Sequence, residues 1–171
     1  IDAQNLQDVA ANTLITQIKG SADARKWRII DKMRDANCIF CKIANGEIPA
    51  ATLYEDENFR VILDLGPASK GHALILPKSH AANIYELSDE MAAKAMILAK
   101  KMATAMTAAL KCDGFNIVQN NGECAGQTVF HFHMHLIPRY KGDQVGITWH
   151  PGELNDADKE EILLKVKEQL S

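Results

Sequence analysis

The sequence predicts an α+β domain built on an antiparallel sheet. Three observations carry that prediction. Within the strand-like run 128–137, residues 130–136 alternate large apolar side chains and histidines with a strict period of two. Residues 88–111 form one long Ala-, Met-, Leu- and Lys-rich stretch without Pro or Gly. Strand-like runs precede and follow that stretch instead of alternating with helices one by one, which favours an antiparallel sheet over a parallel βαβ array.

The elements follow in chain order. In residues 1–36, Leu6, Val9, Ala10, Thr13, Leu14 and Ile18 fall at helical spacing, and Gly20 and Ser21 close that segment. A second amphipathic stretch sets Trp27, Ile30 and Met33 against Arg25, Arg28, Lys32 and Arg34. This part reads as a helical extension that packs on the main domain or on a partner subunit. Its basic residues read as a solvated face and not as a nucleic-acid contact. From Cys38 the texture changes to strands and turns. Asn45–Pro49 is a turn. Phe59–Asp64 and His72–Pro77 read as strands joined through Gly66-Pro67 and Lys70-Gly71.

Ser88 is the expected N-cap of the long helix, with Asp89 and Glu90 in its first turn. Met91, Met102 and Met106 read as gap-filling core residues. Asp113-Gly114 ends the helix and Phe115–Gln119 is the next strand. A polar loop from Asn120 to Gly126 leads into the strand 128–137, and Gly142 and Gly146 mark a further turn region. Asn155 or Asp156 caps a last helix whose apolar face is Ile162, Leu163, Val166 and Leu170. The division is an N-terminal extension (1–36), a central domain (37–152) and a C-terminal helix (153–171).

Composition narrows the function classes. A formal net charge of −3 over 171 residues gives no whole-chain attraction to nucleic acid or anionic membrane, so partners must be argued from a local site. No apolar run approaches the ~20 residues that span a bilayer. The first residues lack the pattern of a secretory signal, so Cys38, Cys41, Cys112 and Cys124 are expected as reduced thiols or metal ligands in a cytoplasmic protein.

His131, His133 and His135 alternate with Phe130, Phe132, Met134 and Leu136. In a strand the three imidazoles share one face, while the large apolar residues fill the core behind it. Two chemistries fit such a row. The imidazoles could together hold a catalytic zinc, or one could be a nucleophile toward phosphorus with its neighbours positioning it and the phosphate. Gly126, Gln127 and Thr128 offer backbone N–H groups, an amide and a hydroxyl at the strand's mouth, donors that suit phosphate oxygens and that a zinc site does not need.

The run His131-Phe132-His133-Met134-His135-Leu136-Ile137 resembles the signature of the histidine-triad (HIT) family, most of all its nucleotide-binding, nucleoside phosphoramidase branch. The resemblance spans about residues 38–152. It is also carried by Cys38–Ile43, Gly46–Pro49, Asp64, Gly71–Lys78, Asn120–Gly122 and Gly126–Thr128. It implies a HIT-like fold of about five antiparallel strands and a hydrolase acting at the α-phosphate of purine nucleotides. His133 would be the nucleophile that forms a nucleotidyl-imidazole, and water would then release the nucleoside monophosphate.

His135 would donate to the phosphate, and His72 would complete the proton network around the leaving group. Gly126, Gln127, Thr128 and Asn120 would lie at the phosphate. Asp64 would hold the ribose hydroxyls, with Ile62 and Leu65 lining the base pocket. A histidine at 135, where the transferase branches carry Gln, favours hydrolysis over transfer. Trp149-His150-Pro151-Gly152 resembles the C-terminal segment of the phosphoramidase branch. The resemblance further implies a homodimer. Dinucleoside polyphosphate hydrolysis and a nucleotide-binding adaptor with incidental turnover are the alternatives.

Cys38-Ile39-Phe40-Cys41 taken alone fits a redox pair or half a zinc site. A thioredoxin-like setting in a βαβ unit is absent, and His80 and His131 offer the missing ligands. Some bacterial members of the family bind structural zinc through such a pair, a histidine after the Pro-Lys turn and the first triad histidine. That pattern implies Cys38, Cys41, His80 and His131 as zinc ligands here, with no organic cofactor.

Overall fold

The structure, a computed structural model, describes residues 34–171. The expected N-terminal helices lie almost wholly outside the described residues. Five strands form one antiparallel sheet: β1 (Thr52–Glu55), β2 (Phe59–Leu63), β3 (Ala73–Pro77), β4 (Gly114–Val118) and β5 (Met134–Arg139). Their spatial order is β1-β2-β3-β5-β4, so the chain inserts β5 between β3 and β4 after the excursion through the long helix. That helix, α2 (Asp89–Leu110), starts where the sequence places it: the Ser88 side chain accepts from the Met91 amide, with Asp89 and Glu90 in the first turn. It ends at Lys111, whose backbone is left-handed (φ 54°).

The pleat sorts side chains onto two faces. Val61, Ile75 and Met134 lie opposite one another across β2, β3 and β5, and they pack with Phe59, Phe132 and Leu136 against Ala95, Leu98, Ala99, Met102 and Met106 of α2. Burying so many methyl and methylene groups is the main stabilising term. On the other face Ile62, Leu74 and His135 form one cross-strand row, which continues to Val118 of β4. Ile62, Leu74 and Leu76 are covered there by a short helix, α1 (Ile39–Ala44), through Ala44, Phe40 and Ile43. Neither α1 nor β1 is signalled by the sequence, because each is too short to show its period.

The strand expected over 128–137 pairs only from Met134 onward. β4 runs out at Val118, opposite His135, so upstream residues have no ladder partner on that side. The Phe132 amide instead donates to the Ala81 carbonyl at 2.6 Å. Alternation survives without pairing: Phe132, Met134 and Leu136 join the helix-side core, but Phe130 is 47% exposed and does not. The C-terminal helix α3 (Asp156–Leu170) is capped by Asn155 as expected, yet Ile162, Leu163, Val166 and Leu170 are all exposed. Among the described residues no helix is long and apolar enough to cross a membrane.

Candidate active site and adjoining metal centre

The histidine row is fixed by four different second partners, and these decide what each ring can do. His133 Nδ1 lies 2.7 Å from the carbonyl oxygen of His131. A carbonyl only accepts, so Nδ1 carries the proton and Nε2 keeps its lone pair. His131 Nε2 lies 3.0 Å from the Pro77 carbonyl, so by the same argument its lone pair is on Nδ1. His72 Nδ1 accepts the Ala68 amide at 3.0 Å, and His72 Nε2 lies 2.9 Å from His135 Nδ1. The His133 and His135 rings meet edge to face with centroids 5.0 Å apart.

Burial keeps these rings neutral. It pushes His133 and His72 below the ordinary histidine value, and the Asp64 carboxylate opposes the shift in both. His135 is pushed down to about 4, by burial first and then by His133 and His72. A neutral imidazole with a free Nε2 is the form that attacks phosphorus. Asp64, one residue past β2, accepts the Gly66 amide at 2.8 Å and brings its other oxygen within 3.6 Å of His72 Nε2.

The triad does not converge on a single ion. His131 Nδ1 instead faces Cys38 Sγ at 3.4 Å and Cys41 Sγ at 3.5 Å, and Cys41 Sγ lies 3.4 Å from His80 Nδ1. All four donor atoms lie within 4.8 Å of one another. A tetrahedral zinc with two sulfur and two nitrogen ligands needs S···N edges of about 3.5 Å, so the set fits that ion. The Nε2–H of His131 on a carbonyl is the support a ligating histidine ordinarily has. Burial pushes the Cys41 thiol up to about 11, a shift that a bound cation reverses.

The remaining expected contacts divide. Ile62 is buried beside Phe40, Ile43 and Leu74, whereas Leu65 is fully exposed. Gln127 is the clearest correction. Its oxygen accepts the Gly122 amide at 2.8 Å, and its nitrogen donates to the carbonyls of Ala82 at 2.6 Å and Val129 at 3.1 Å. Being 2% exposed, this amide staples the 120–127 loop and has no donor left for a phosphate.

The amides of Gly126 and Gln127 are likewise committed, to Glu123 and Gly122 carbonyls. Gly126 is needed for its backbone (φ 86°), and a Cβ there would come 3.6 Å from Asn120 Nδ2. Thr128, exposed, and Asn120, half-buried, remain as the polar side chains of this loop's mouth. His150 and Trp149 are both exposed.

Sequence reasoning missed Phe40, whose ring edge abuts His133 with centroids 5.1 Å apart. Its place inside the Cys38–Cys41 spacing was the available signal. It also missed the Ala68 amide and the His131 and Pro77 carbonyls, for which no side-chain signal exists.

Comparison with known proteins agrees with this geometry. A HIT domain profile matches residues 45–142. The chain is 44% identical over 138 residues to the protein named "Protein hit" of Bacillus subtilis, covering 79% of this chain and 95% of the relative. It is 42% identical over 138 residues to an adenosine 5'-monophosphoramidase of Saccharomyces cerevisiae, covering 78% and 85%. A crystal structure of a Streptococcus mutans protein superposes with a TM-score of 0.78 at 38% identity, covering 81% of this chain and 88% of that one. A zinc-bound histidine-triad protein of Mycobacterium smegmatis gives a TM-score of 0.62 at 38% identity, covering 76% and 91%.

Proposed function

The chain belongs to the HIT domain family, and from that premise we propose that it is a nucleoside phosphoramidase-type hydrolase whose nucleophile is His133. One observation carries the assignment: the His131 carbonyl holds the proton of His133 on Nδ1, leaving Nε2 as a free lone pair. Nε2 attacks the α-phosphorus of a purine nucleoside phosphoramidate. A P–N bond to the ring forms as the P–N bond to the leaving amine breaks, and His135 supplies the proton that amine takes up. Water then attacks the nucleotidyl-histidine, passes a proton back to His135, and releases the nucleoside monophosphate. Asp64 accepts from the ribose hydroxyls, and Ile62 with Phe40, Ile43 and Leu74 forms the apolar side of the base site. Asn120 and Thr128 face the phosphate. Relatives named as adenosine 5'-monophosphoramidases support the substrate class.

Cys38, Cys41, His80 and His131 would hold a structural zinc. It would keep both thiols ionised and pin His131, whose carbonyl orients the nucleophile. A homodimer is supported by β4 standing at the edge of the sheet among the described residues, with Ile117 exposed, and by Met96 and Ile97 exposed on α2.

His133→Ala tests the mechanism. Turnover of adenosine phosphoramidate should vanish while nucleotide binding persists, and normal turnover would refute it. In the wild type, brief exposure to substrate should leave a nucleotidyl mass on the peptide carrying His133. Running guanosine phosphoramidate and diadenosine polyphosphates beside it fixes the substrate. Faster cleavage of the polyphosphates would favour a dinucleoside polyphosphate hydrolase, and binding without turnover throughout would favour an adaptor.

A further inference from the structure

We propose that the backbone N–H of Ala68 is a positioning group that locks His72 as the Nε2–H tautomer. Through His72 it presents His135 to substrate as an Nε2–H donor and closes the Asp64–His72–His135 cluster to divalent metals. The catalytic half rests on the hydrolase reading, whereas the tautomers and the metal count stand without it.

The argument follows one proton at a time. Ala68 N–H points at His72 Nδ1 over 3.0 Å, so that nitrogen must offer a lone pair. With Nδ1 accepting, this 5% exposed ring carries its single proton on Nε2. That proton fills the 2.9 Å contact with His135 Nδ1, which therefore accepts. The remaining proton of neutral His135 is then on Nε2.

The turn carrying Ala68 is held firmly enough to impose this. Ser69 Oγ donates to the Pro138 carbonyl at 2.6 Å, Tyr140 Oη donates to Lys70 at 3.0 Å, and the His72 amide donates to Ser69 at 3.1 Å.

The same chain of protons decides between two clusters that both have metal-ligand geometry. Asp64, His72 and His135 bring donor atoms within 4.8 Å of one another, a two-histidine, one-carboxylate set of the kind that takes divalent transition metals. To bind, His72 Nε2 must give up its proton to Nδ1, and that N–H would then face the Ala68 N–H. At His131 the opposite holds: a carbonyl stands behind Nε2 and leaves Nδ1 free for a metal. A carbonyl behind one histidine and an amide behind the other thus separate the zinc site from the reaction site within one fold.

Long-range 1H–15N correlation spectra of the zinc-loaded protein read the tautomers directly. His72 and His135 should both be neutral with the proton on Nε2, and an Nδ1–H signal at His72 would overturn the proposal. Ala68→Pro removes the N–H, and Ala68→Gly keeps it. The proline variant should take up a second zinc and be inhibited at free zinc concentrations about tenfold to a hundredfold lower, the effect of relieving one clash of buried donors. The glycine variant should match the wild type. A wild type that already takes two zinc ions as tightly as Ala68→Pro would overturn the proposal, and so would equal zinc inhibition of the two. If Ala68→Pro does not fold, the spectra of the unaltered protein decide.

Discussion

Gly71 joins the turn at Ala68 to His72, the residue before β3, and replacing it with alanine isolates two distinct costs. Its φ is +90°, a backbone that L-residues rarely adopt. Holding alanine there costs about 1–3 kcal/mol, partly offset by about 0.4–1 kcal/mol from the stiffer unfolded chain. The new Cβ would also come 2.5 Å from Leu110 Cδ1 and 3.4 Å from Pro138 Cγ. Leu110 can yield, because it lines a mostly apolar groove of about 440 Å³ together with Leu53, Leu63 and Met106. Its rotation and the residual overpacking add about 1–2 kcal/mol.

The net expectation for Gly71→Ala is a loss of about 2–4 kcal/mol. At roughly 2–4 °C per kcal/mol for a chain of this size, the thermal midpoint should fall by about 5–15 °C. Urea unfolding of Gly71→Ala, Leu110→Ala and the double variant separates the parts. The Gly71→Ala cost should shrink by about 1–2 kcal/mol when Leu110 is already truncated, leaving the backbone strain. A Gly71→Ala protein as stable as the wild type would refute both parts, and a cycle without coupling would refute the clash.

Three further outcomes are expected. Because His135 titrates near 4 when folded and near 6.5 when unfolded, the unfolded chain binds more protons between those values. The stability from burying it neutral is complete above pH 6.5 and is lost as pH falls toward 4. Stability from denaturant unfolding should decline across that window by on the order of 2 kcal/mol, the full linkage of roughly 3 kcal/mol discounted for the ring's partial exposure. His135→Gln should reduce the decline, and an unchanged slope would contradict the burial argument.

Gln127→Ala leaves the Gly122 amide and the Ala82 carbonyl without these partners, whereas the Val129 carbonyl keeps the His131 amide. A loss of about 2–4 kcal/mol with faster amide exchange at Gly122 should follow, and an effect on nucleotide binding alone would count against the stapling role. Stripping metal with a chelator should lower the thermal midpoint by about 10 °C, as for a ligand well above its dissociation constant. Cys41→Ser should abolish zinc uptake at the proposed site and, with it, that sensitivity.

The legible parts of the sequence are those in which side chains carry the information. The 88–111 stretch announced its own cap and length, and the alternation around His131, His133 and His135 announced which residues share a face even where no ladder forms. Ligand chemistry made Cys38 and Cys41 candidates, the family resemblance singled out His80 and His131 beside them, and the four do meet. Gln127 shows where this stops. An amide beside a glycine reads as a phosphate contact, but in the fold its oxygen is spent on the Gly122 amide and its donors on the Ala82 and Val129 carbonyls. Leu65 was illegible for the complementary reason: nothing local says that the chain turns outward directly after Asp64, leaving this side chain exposed.

By itself, the sequence determined the chemistry available to this protein: three imidazoles on one face, a thiol pair, an acidic residue and one long packing helix. Only the tertiary structure decided the state of each imidazole. A histidine's tautomer is set by whatever faces its second nitrogen. Here those groups are backbone carbonyls at Pro77 and His131 and the amide of Ala68, the first and last of them far from the triad in the chain. Backbone groups are the same at every position, so no residue pattern reveals them, and only folding brings each one to its ring.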